Sequence, residues 1–408
     1  MKFLVSGHGS IRDSIKFGFQ IWCVGVTKLE CVTGEGRARE RIWLYERLRS
    51  NDFETRGRVA STRLNFPFLF LHQLYALRLP MAGHTESVLP LHVIDLAEND
   101  RHLLAQKVKK ACLEHGFFYL INHGIDLKLI DKVFEQSKLF FDLPVDEKMR
   151  SLQDNNYRGY VPIGKETLNP IESKQGDSRE AYFIGWEMSE DHPLALKPLH
   201  GPNQWPSKDL LPEWRETLET YFYKLLEVGH CVASLVALAL DLEADYFRHM
   251  FMAPAVALRP LHYIGEISCP EEGRFGTGPH GDYGMLTFLA TDENRGLQVC
   301  RARDGEPKLW EDVPPKKESF IVNLGDMLER WTNGLFKSTQ HRVVTDGIDR
   351  YSVAYFYDPD YDTVIECLPT CHSEEFPPNY PPITMGDYFK MKFTSRAQGS
   401  SNMNSTPI

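Results

Sequence analysis

Two histidines and a carboxylate in the second half of the 408-residue chain have the spacing of a metal site. His280 and Asp282 are two positions apart, so on an extended strand their side chains share one face. His341 follows 59 residues after Asp282, within a stretch that is predicted to be a strand. Two imidazoles and one carboxylate form the facial triad that holds non-haem Fe(II) and leaves positions open on the metal. We therefore predict an Fe(II) site formed by these three residues.

A second pair of residues is suited to binding a carboxylate. Arg350 and Ser352 begin nine residues after His341 and again lie two positions apart. The guanidinium is a planar fork and the hydroxyl is a hydrogen-bond donor. A 2-oxo acid that bound iron through its 1-carboxylate and keto oxygen would need such a partner for its distal carboxylate, and Tyr263 could add a phenol hydrogen bond. The predicted chemistry is O2 activation with oxidative decarboxylation of the 2-oxo acid and attack on a C–H bond.

The segment that carries these residues is predicted to be rich in short strands. The predicted strands are 258–264, 284–290, 296–300, 319–324, 338–344 and 351–357. Turn signals separate them, among them Asp304-Gly305, which predicts a hairpin between Val299 and Trp310. This pattern favours a jelly roll, or double-stranded β-helix, whose mouth lets side chains from distant strands meet.

The region before this segment alternates strands with helices. The predicted elements are a strand at 91–96, a helix at 101–114, a strand at 117–121, a helix that begins after an Asp126 N-cap, and a strand at 180–185. A long apolar helix at 212–241 is predicted to back the sheet. The predicted fold is therefore mainly β, with a jelly-roll core, an α/β N-terminal region and a long backing helix.

Six regions are expected along the chain. They are an atypical extension (1–81), an α/β region (88–210), backing helices (211–255), the jelly-roll domain (256–360), a C-terminal segment (361–398) and a disordered tail (399–408). The extension is basic, although its first 80 residues include seven acidic ones that weaken its interpretation as an organelle leader. A disordered or atypical extension and a mispredicted start, with Met81 as the true first residue, are the other interpretations.

Composition and charge indicate which partners and which cellular compartment to expect for this protein. The net charge is −10, and the residues after the basic extension are strongly acidic, which argues against a nucleic-acid partner. The eight cysteines contain no C-x-x-C pair and are interpreted as reduced thiols of a cytoplasmic protein. No apolar run is expected to reach the roughly 18–20 residues of a membrane span. The predicted partner is a small-molecule substrate, and no obligate protein partner is evident.

Several motifs resemble the plant 2-oxoglutarate/Fe(II)-dependent dioxygenases, which have the isopenicillin N synthase-like fold. The motifs are PHGDYGMLT (279–287), NLGDMLERWTNG (323–334), KST-x-HRV (337–343), RYS (350–352), GFFYLINHG (116–124) and FF-x-LP-x-x-EK (140–148). The resemblance covers about residues 88–395. It implies His280, Asp282 and His341 as iron ligands and Arg350 and Ser352 as the 2-oxoglutarate clamp. It also implies O2 as oxidant, ascorbate as a candidate reductant, and release of succinate and CO2 as a small organic metabolite is oxidised.

One departure from the family pattern concerns the strand that carries Tyr263. Many relatives have Asn-x-Tyr there, whereas this chain has Leu261-His262-Tyr263. The tyrosine is retained, but a hydrogen bond from asparagine is lost, which affects the expected geometry of 2-oxoglutarate binding. His262 points away from Tyr263 on a strand and is predicted to be structural.

Other assignments are left open by the residues. Phe288 and Phe356 lie on predicted core strands, where they could line the substrate pocket or pack in the core. Asp326 is interpreted as a helix N-cap rather than a spare metal ligand. One alternative function is an iron oxidase of the same family that does not use 2-oxoglutarate, as the ethylene-forming oxidase does not. Another is a non-catalytic metal-binding β-barrel protein.

Overall fold

The computed structural model describes residues 87–173, 175–301 and 308–397, together with two N-terminal strands. Those strands, β1 (Lys2–Gly7) and β2 (Phe17–Trp22), pair antiparallel as a separate two-stranded sheet. The other predictions for 1–81, the Asp304-Gly305 turn and the predicted disordered tail at 399–408 lie outside the described residues.

Two sheets form the centre of the main part of the chain. The larger one has eight strands in the order β3 (His92–Asp95), β4 (Phe117–Ile121), β12 (Ser319–Leu324), β9 (Leu286–Thr291), β14 (Arg350–Tyr357), β7 (Ala257–Tyr263), β6 (Arg179–Gly185) and β5 (Gly159–Val161). The smaller one has four, in the order β11 (Trp310–Asp312), β10 (Leu297–Cys300), β13 (His341–Val343) and β8 (Thr277–His280). The β3–β4 pair is parallel, and the remaining pairs in both sheets are antiparallel.

The inner faces of the two sheets pack against each other. Leu297 and Val299 of the smaller sheet share one buried apolar cluster with Phe117 and Ile321 of the larger sheet. Val343 belongs to a second cluster with residues of β7 and β14. Two facing sheets of this kind are the jelly-roll core that the sequence predicts.

Six helices accompany the two sheets in the described part of the chain. They are α1 (Arg101–Glu114), α2 (Leu127–Phe141), α3 (Val145–Met149), α4 (Trp214–Ala239), α5 (Asp326–Trp331) and α6 (Met385–Ala397). Short 3-10 turns occur at Pro193–Leu196, Arg248–Met250, Pro270–Glu272 and Pro369–Cys371, and a small hairpin joins β15 (Val364–Ile365) to β16 (Ile383–Thr384). One face of α4 is buried among α1, α2 and β14, which confirms the predicted backing helix.

The sequence analysis expected no apolar run as long as a membrane span, and helix α4 does not meet that expectation. Helix α4 is long and apolar enough to cross a membrane by length and composition alone, and in the structure more than half of its apolar window is buried inside the protein. The core helix of a globular fold passes the same test, because it too must be apolar where it packs.

Most of the observed helices and strands lie where the sequence predicted them, and the differences can be traced to nearby residues. Asp126 caps α2 as predicted, with its carboxylate accepting a 2.9 Å hydrogen bond from the amide of Lys128. Asp326 is not an N-cap: Gly325 takes that position, and the Asp326 carboxylate instead binds Lys392 of α6 at 2.7 Å. The strands β5 and β8 were not among the predicted strands: they have only three and four residues, and β8 contains Gly278 and Pro279. The antiparallel pairing of β10 with β11 agrees with the hairpin predicted between Val299 and Trp310.

Alternation along β14 determines which side chains face the space between the sheets. Ala354 and Phe356 line a cavity there, whereas Tyr355 and Tyr357 lie in the helix-covered core. Because side chains on one strand face share a period of two, Arg350 and Ser352 project to the same side as Ala354 and Phe356.

Candidate metal centre

The structure brings the three predicted metal ligands together at one end of the smaller sheet. His280 is the last residue of β8 and pairs in register with His341, the first residue of β13. Asp282 follows in the loop after β8 rather than on the strand itself. Its Oδ1 lies 3.7 Å from the Nε2 of each histidine, and the candidate ligand atoms of all three residues are within 4.8 Å of one another.

Hydrogen bonds on the far side of each ligand orient it toward this point. Nδ1 of His280 donates to the carbonyl of Gly278 at 2.8 Å, and Nδ1 of His341 donates to the carbonyl of Thr339 at 3.2 Å. Each Nε2 is then the unprotonated nitrogen that a metal requires. Asp282 has its Oδ2 occupied by the donors Thr287 and Asn323, so that Oδ1 faces the histidines.

The electrostatics of the centre also suit a cation. Burial, reinforced by the neighbouring His341, lowers the pKa of His280 to about 3, so that its imidazole is neutral near pH 7. Burial alone would raise the pKa of Asp282, but His341, His280 and the two hydrogen-bond donors outweigh it and lower that pKa. Two imidazole nitrogens and an ionised carboxylate are the donor set that fits Fe(II).

Arg350 and Ser352, the residues predicted to bind a carboxylate, are both buried on β14. Arg350 and Ser352 are only 2% and 1% exposed, and Arg350 lies opposite Tyr263 in the β14–β7 register, with its guanidinium 4.9 Å from that ring. Arg350 Nε donates to the carbonyl of Asn294 at 3.3 Å. Within the described part of the chain, Arg350 Nη1 and Ser352 Oγ are buried and have no hydrogen-bond partner.

Two cavities adjoin the metal ligands. The inner one, of about 60 Å³, lies between the sheets and is bordered by Tyr263, Asp282 and both histidines. The outer one, of about 150 Å³, also reaches His280 and Asp282. Its walls are largely aromatic: Tyr157, Phe183, Tyr283, Phe356, Phe389 and Phe393.

Helix α6 forms part of the outer wall. Phe393 stacks on Tyr157 with ring centroids 4.9 Å apart, and its ring lies 6.0 Å from that of Tyr283. The ion pair between Lys392 and Asp326 connects the same helix to α5. The C-terminal segment therefore contributes directly to the space above the metal ligands.

Polar groups that the sequence did not single out also border the outer cavity. Arg259 lines both cavities and forms an ion pair with Glu166, which in turn pairs with the buried Arg179 at 3.2 Å. Asp358 is buried beside the metal ligands, and its Oδ1 accepts a 2.9 Å hydrogen bond from the amide of Met285. Burial, with a contribution from Asp282, raises the pKa of Asp358 to about 7.

The sequence contained a signal that Arg259 faces the cavities. Arg259, Leu261 and Tyr263 alternate on β7, so a strand assignment that orients Tyr263 inward also orients Arg259 inward.

The two candidate pocket residues, Phe288 and Phe356, lie on opposite sides of the larger sheet. Phe288 is fully buried in the helix-covered core and lines neither cavity, whereas Phe356 lines both. Of the two roles that the sequence left open for Phe288, the structure favours packing in the core.

The predicted structural role of His262 is consistent with its contacts. Its Nδ1 lies 2.9 Å from Glu180 Oε1 on the helix side of the sheet, opposite to Tyr263. Glu180 also accepts hydrogen bonds from Lys148 and Tyr160, at 2.7 and 2.5 Å. Glu180 thereby joins His262, Lys148 and Tyr160 in one buried polar cluster on the other side of the sheet from Tyr263.

Two family models match this chain, one over its N-terminal region and one over its jelly-roll domain. Residues 91–208 match the family model described as non-haem dioxygenase in morphine synthesis N-terminal, and residues 259–359 match that of the 2OG-Fe(II) oxygenase superfamily. The kihadalactone A synthase LFS of Citrus sinensis is 44% identical, over 77% of this chain and 95% of its own length. The azadirone synthase LFS of Melia azedarach is 43% identical, over 76% and 94%. The crystal structure of a full-length Neurospora crassa protein in complex with alpha-KG superposes with a TM-score of 0.67 at 30% identity and covers 78% of this chain and 100% of that one.

Proposed function

This chain belongs to the 2OG-Fe(II) oxygenase superfamily, and we propose that within it the enzyme oxidises a largely apolar metabolite related to kihadalactone A and azadirone. As a family member it is an oxidoreductase that uses Fe(II), 2-oxoglutarate and O2 and releases succinate and CO2. This assignment replaces both alternatives raised by the sequence, the 2-oxoglutarate-independent oxidase and the non-catalytic barrel.

The metal ligands define the reacting position. Bound Fe(II) supplies the activation of O2 that is coupled to decarboxylation of 2-oxoglutarate. His280, Asp282 and His341 hold the metal through two nitrogens and one oxygen, and their outer hydrogen bonds prevent the rings and the carboxylate from turning away. Three protein ligands would leave coordination positions on the metal for co-substrate and O2.

Arg350 and Ser352 are proposed to hold the distal carboxylate of 2-oxoglutarate. A buried guanidinium nitrogen and a buried hydroxyl without protein partners are costly unless a ligand completes their hydrogen bonds. A carboxylate satisfies both at once and neutralises the arginine. Leu261 faces the inner cavity where many relatives have asparagine, so on this strand the co-substrate relies on Tyr263.

The observation that carries the substrate proposal is the aromatic outer cavity that opens directly onto His280 and Asp282. Aromatic walls bury apolar carbon, and a few polar groups then fix the orientation of the ligand. Asp358 and the Arg259–Glu166 pair are the polar groups in position to meet oxygen atoms of such a molecule. The relatives named as synthases of kihadalactone A and azadirone support a substrate of that kind.

A metabolite screen tests this proposal. Protein loaded anaerobically with Fe(II) and 2-oxoglutarate is exposed to O2 with a panel of apolar metabolites related to kihadalactone A and azadirone, beside a panel of amino acids and nucleobases. We expect succinate to form together with an oxidised product from the first panel. Product from the second panel alone would overturn the substrate class and leave the family assignment intact.

Two variants check that the product comes from this centre. Asp282→Ala and His280→Ala should abolish product formation, because each removes a metal ligand. Glu293→Ala, which removes an exposed carboxylate that pairs with Lys317 and lines neither cavity, should retain it.

A further inference from the structure

We propose that His92, Glu114 and His115 form a second divalent-metal site, distinct from the iron centre and suited to Zn²⁺. The candidate ligand atoms of the three residues all lie within 4.8 Å of one another. His92 Nε2 and Glu114 Oε2 are already 2.6 Å apart. This is the second cluster with metal-ligand geometry in the described part of the chain.

The three residues are positioned by regular structure. His92 begins β3, Glu114 is the last residue of α1, and His115 is the C-cap of the same helix. Strand β3 pairs in parallel with β4, and His92 lies opposite Phe118 just after the end of that helix. One strand start and one helix end thus meet within a single β–α–β unit, so little chain has to be ordered when a metal binds.

The ligand types select the class of metal. Two imidazole nitrogens and one carboxylate oxygen suit Zn²⁺ and its first-row neighbours, whereas Mg²⁺ and Ca²⁺ prefer ligands made only of oxygen. Tetrahedral Zn²⁺ bonds of about 2.0–2.2 Å place ligand atoms roughly 3.3 Å apart. His92 and Glu114, now 2.6 Å apart, would separate slightly on binding, and water would complete the coordination.

The local electrostatics favour a cation at this point. The carbonyl groups at a helix C-terminus carry partial negative charge, and the last turn of α1 contains no basic residue. Lys110 approaches Glu114 through Oε1, at 3.8 Å, which leaves Oε2 to face His92. The side chains of His92 and Glu114 are 28% and 44% exposed, so that metal can enter from solvent.

The second site shares no ligand with the iron centre, although hydrogen bonds through Thr339 connect His115 to His341. The carbonyl of His115 accepts a 2.8 Å hydrogen bond from the Thr339 hydroxyl, and the carbonyl of Thr339 accepts one from His341. Substitution of His92 or Glu114 therefore leaves the iron ligands and their hydrogen bonds in place, which makes the two sites separable by mutation.

Titration of the metal-free full-length protein with Co²⁺, followed by the visible absorption of bound Co²⁺, tests the proposal. Zn²⁺ retained after gel filtration gives an independent count. Wild type should bind one equivalent more than His92→Ala and one more than His115→Ala. Glu114→Gln should bind this metal more weakly while keeping the shape of the site.

Two further variants assign the equivalents. Asp282→Ala should lose the iron-site equivalent and keep the second, and the Asp282→Ala/His92→Ala double variant should lose both. His102→Ala removes an exposed histidine from the same helix and should match wild type. Equal metal content in wild type, His92→Ala and His115→Ala, with unchanged far-UV circular dichroism, would overturn the proposal.

Discussion

Asn323 donates a 2.7 Å hydrogen bond to Oδ2 of Asp282 and so determines which carboxylate oxygen faces the histidines. Asn323 on β12 is the register partner of Thr287 on β9, and the Thr287 hydroxyl donates to the same oxygen at 2.6 Å. Two neighbouring strands of the larger sheet thereby orient a ligand that is carried by a loop of the smaller one.

Replacement of Asn323 by Leu should weaken iron binding. Loss of the donor lets the Asp282 carboxylate rotate, and substitutions of this kind typically cost about 10–100-fold in metal affinity. The expected result is an increase of that size in the Fe(II) concentration needed for half-maximal activity. Thr291→Val, a polar-to-apolar change on the same strand as Thr287, serves as control and should leave the iron dependence unchanged; equal affinity in Asn323→Leu and wild type would contradict the role assigned to this hydrogen bond.

The residues of the iron site and of the proposed clamp could be selected from the sequence because several short signals occur together. His280 and Asp282 are two positions apart, as are Arg350 and Ser352, and His341 lies between the two pairs in the same strand-rich segment. The partners of Asp282 could not be predicted, because Asn323 and Thr287 reach it only through the register between β9 and β12. Register between strands far apart in sequence depends on the packed sheet as a whole.

The residues that line the substrate cavity were harder to predict from the sequence, for a related reason. Period-two alternation separates the two faces of a strand, but it does not say which face meets the metal. Phe356 shares a face of β14 with Arg350 and Ser352, whereas the orientation of Phe288 depends on how β9 packs between the smaller sheet and the helix-covered core.

Arg350→Met should raise the KM for 2-oxoglutarate far more than Ser352→Ala does. The first change removes the charge that meets a buried carboxylate, a loss of about 2–5 kcal/mol for a charged hydrogen-bonded pair, or roughly 30- to several thousand-fold. The second removes one neutral donor, worth about 1 kcal/mol or roughly fivefold. Steady-state kinetics with 2-oxoglutarate as the varied substrate measure both, with the exposed Arg295→Met as control. Similar KM values in Arg350→Met and wild type would remove Arg350 from the clamp.

Phe288→Ala and Phe356→Ala should have different consequences. Phe288 is fully buried in the main core, so its truncation should lower the free energy of unfolding by about 3–5 kcal/mol. Phe356 borders both cavities and should affect metabolite oxidation and its coupling to succinate formation more than stability. Urea unfolding and product-to-succinate ratios separate the two effects; a stability loss in Phe356→Ala that equals the loss in Phe288→Ala would contradict the assignment of their faces.

Asp358 should make the stability of the metal-free protein fall as the pH rises. Burial raises its pKa to about 7 from the ordinary value of 3.8, so between these values the folded state holds a proton that the unfolded state has released. Below about pH 3 the carboxyl is largely protonated in both states and costs little, whereas above pH 7 it is ionised in both and its full penalty is present. At 1.36 kcal/mol per pKa unit, the penalty should grow by roughly 2–3 kcal/mol between pH 5 and pH 7.5.

Asp358→Asn removes this titration while keeping an oxygen for the amide of Met285. The variant should therefore gain stability relative to wild type as the pH rises, by the same roughly 2–3 kcal/mol over that window. Urea unfolding at several pH values measures the difference between the two proteins. The control is Asp387→Asn, because the exposed Asp387 has its pKa lowered by Thr384 and Lys390 and so cannot produce a gain of this sign. A wild-type-minus-variant difference that stays constant from pH 5 to pH 7.5 would show that Asp358 is ionised in the folded protein throughout.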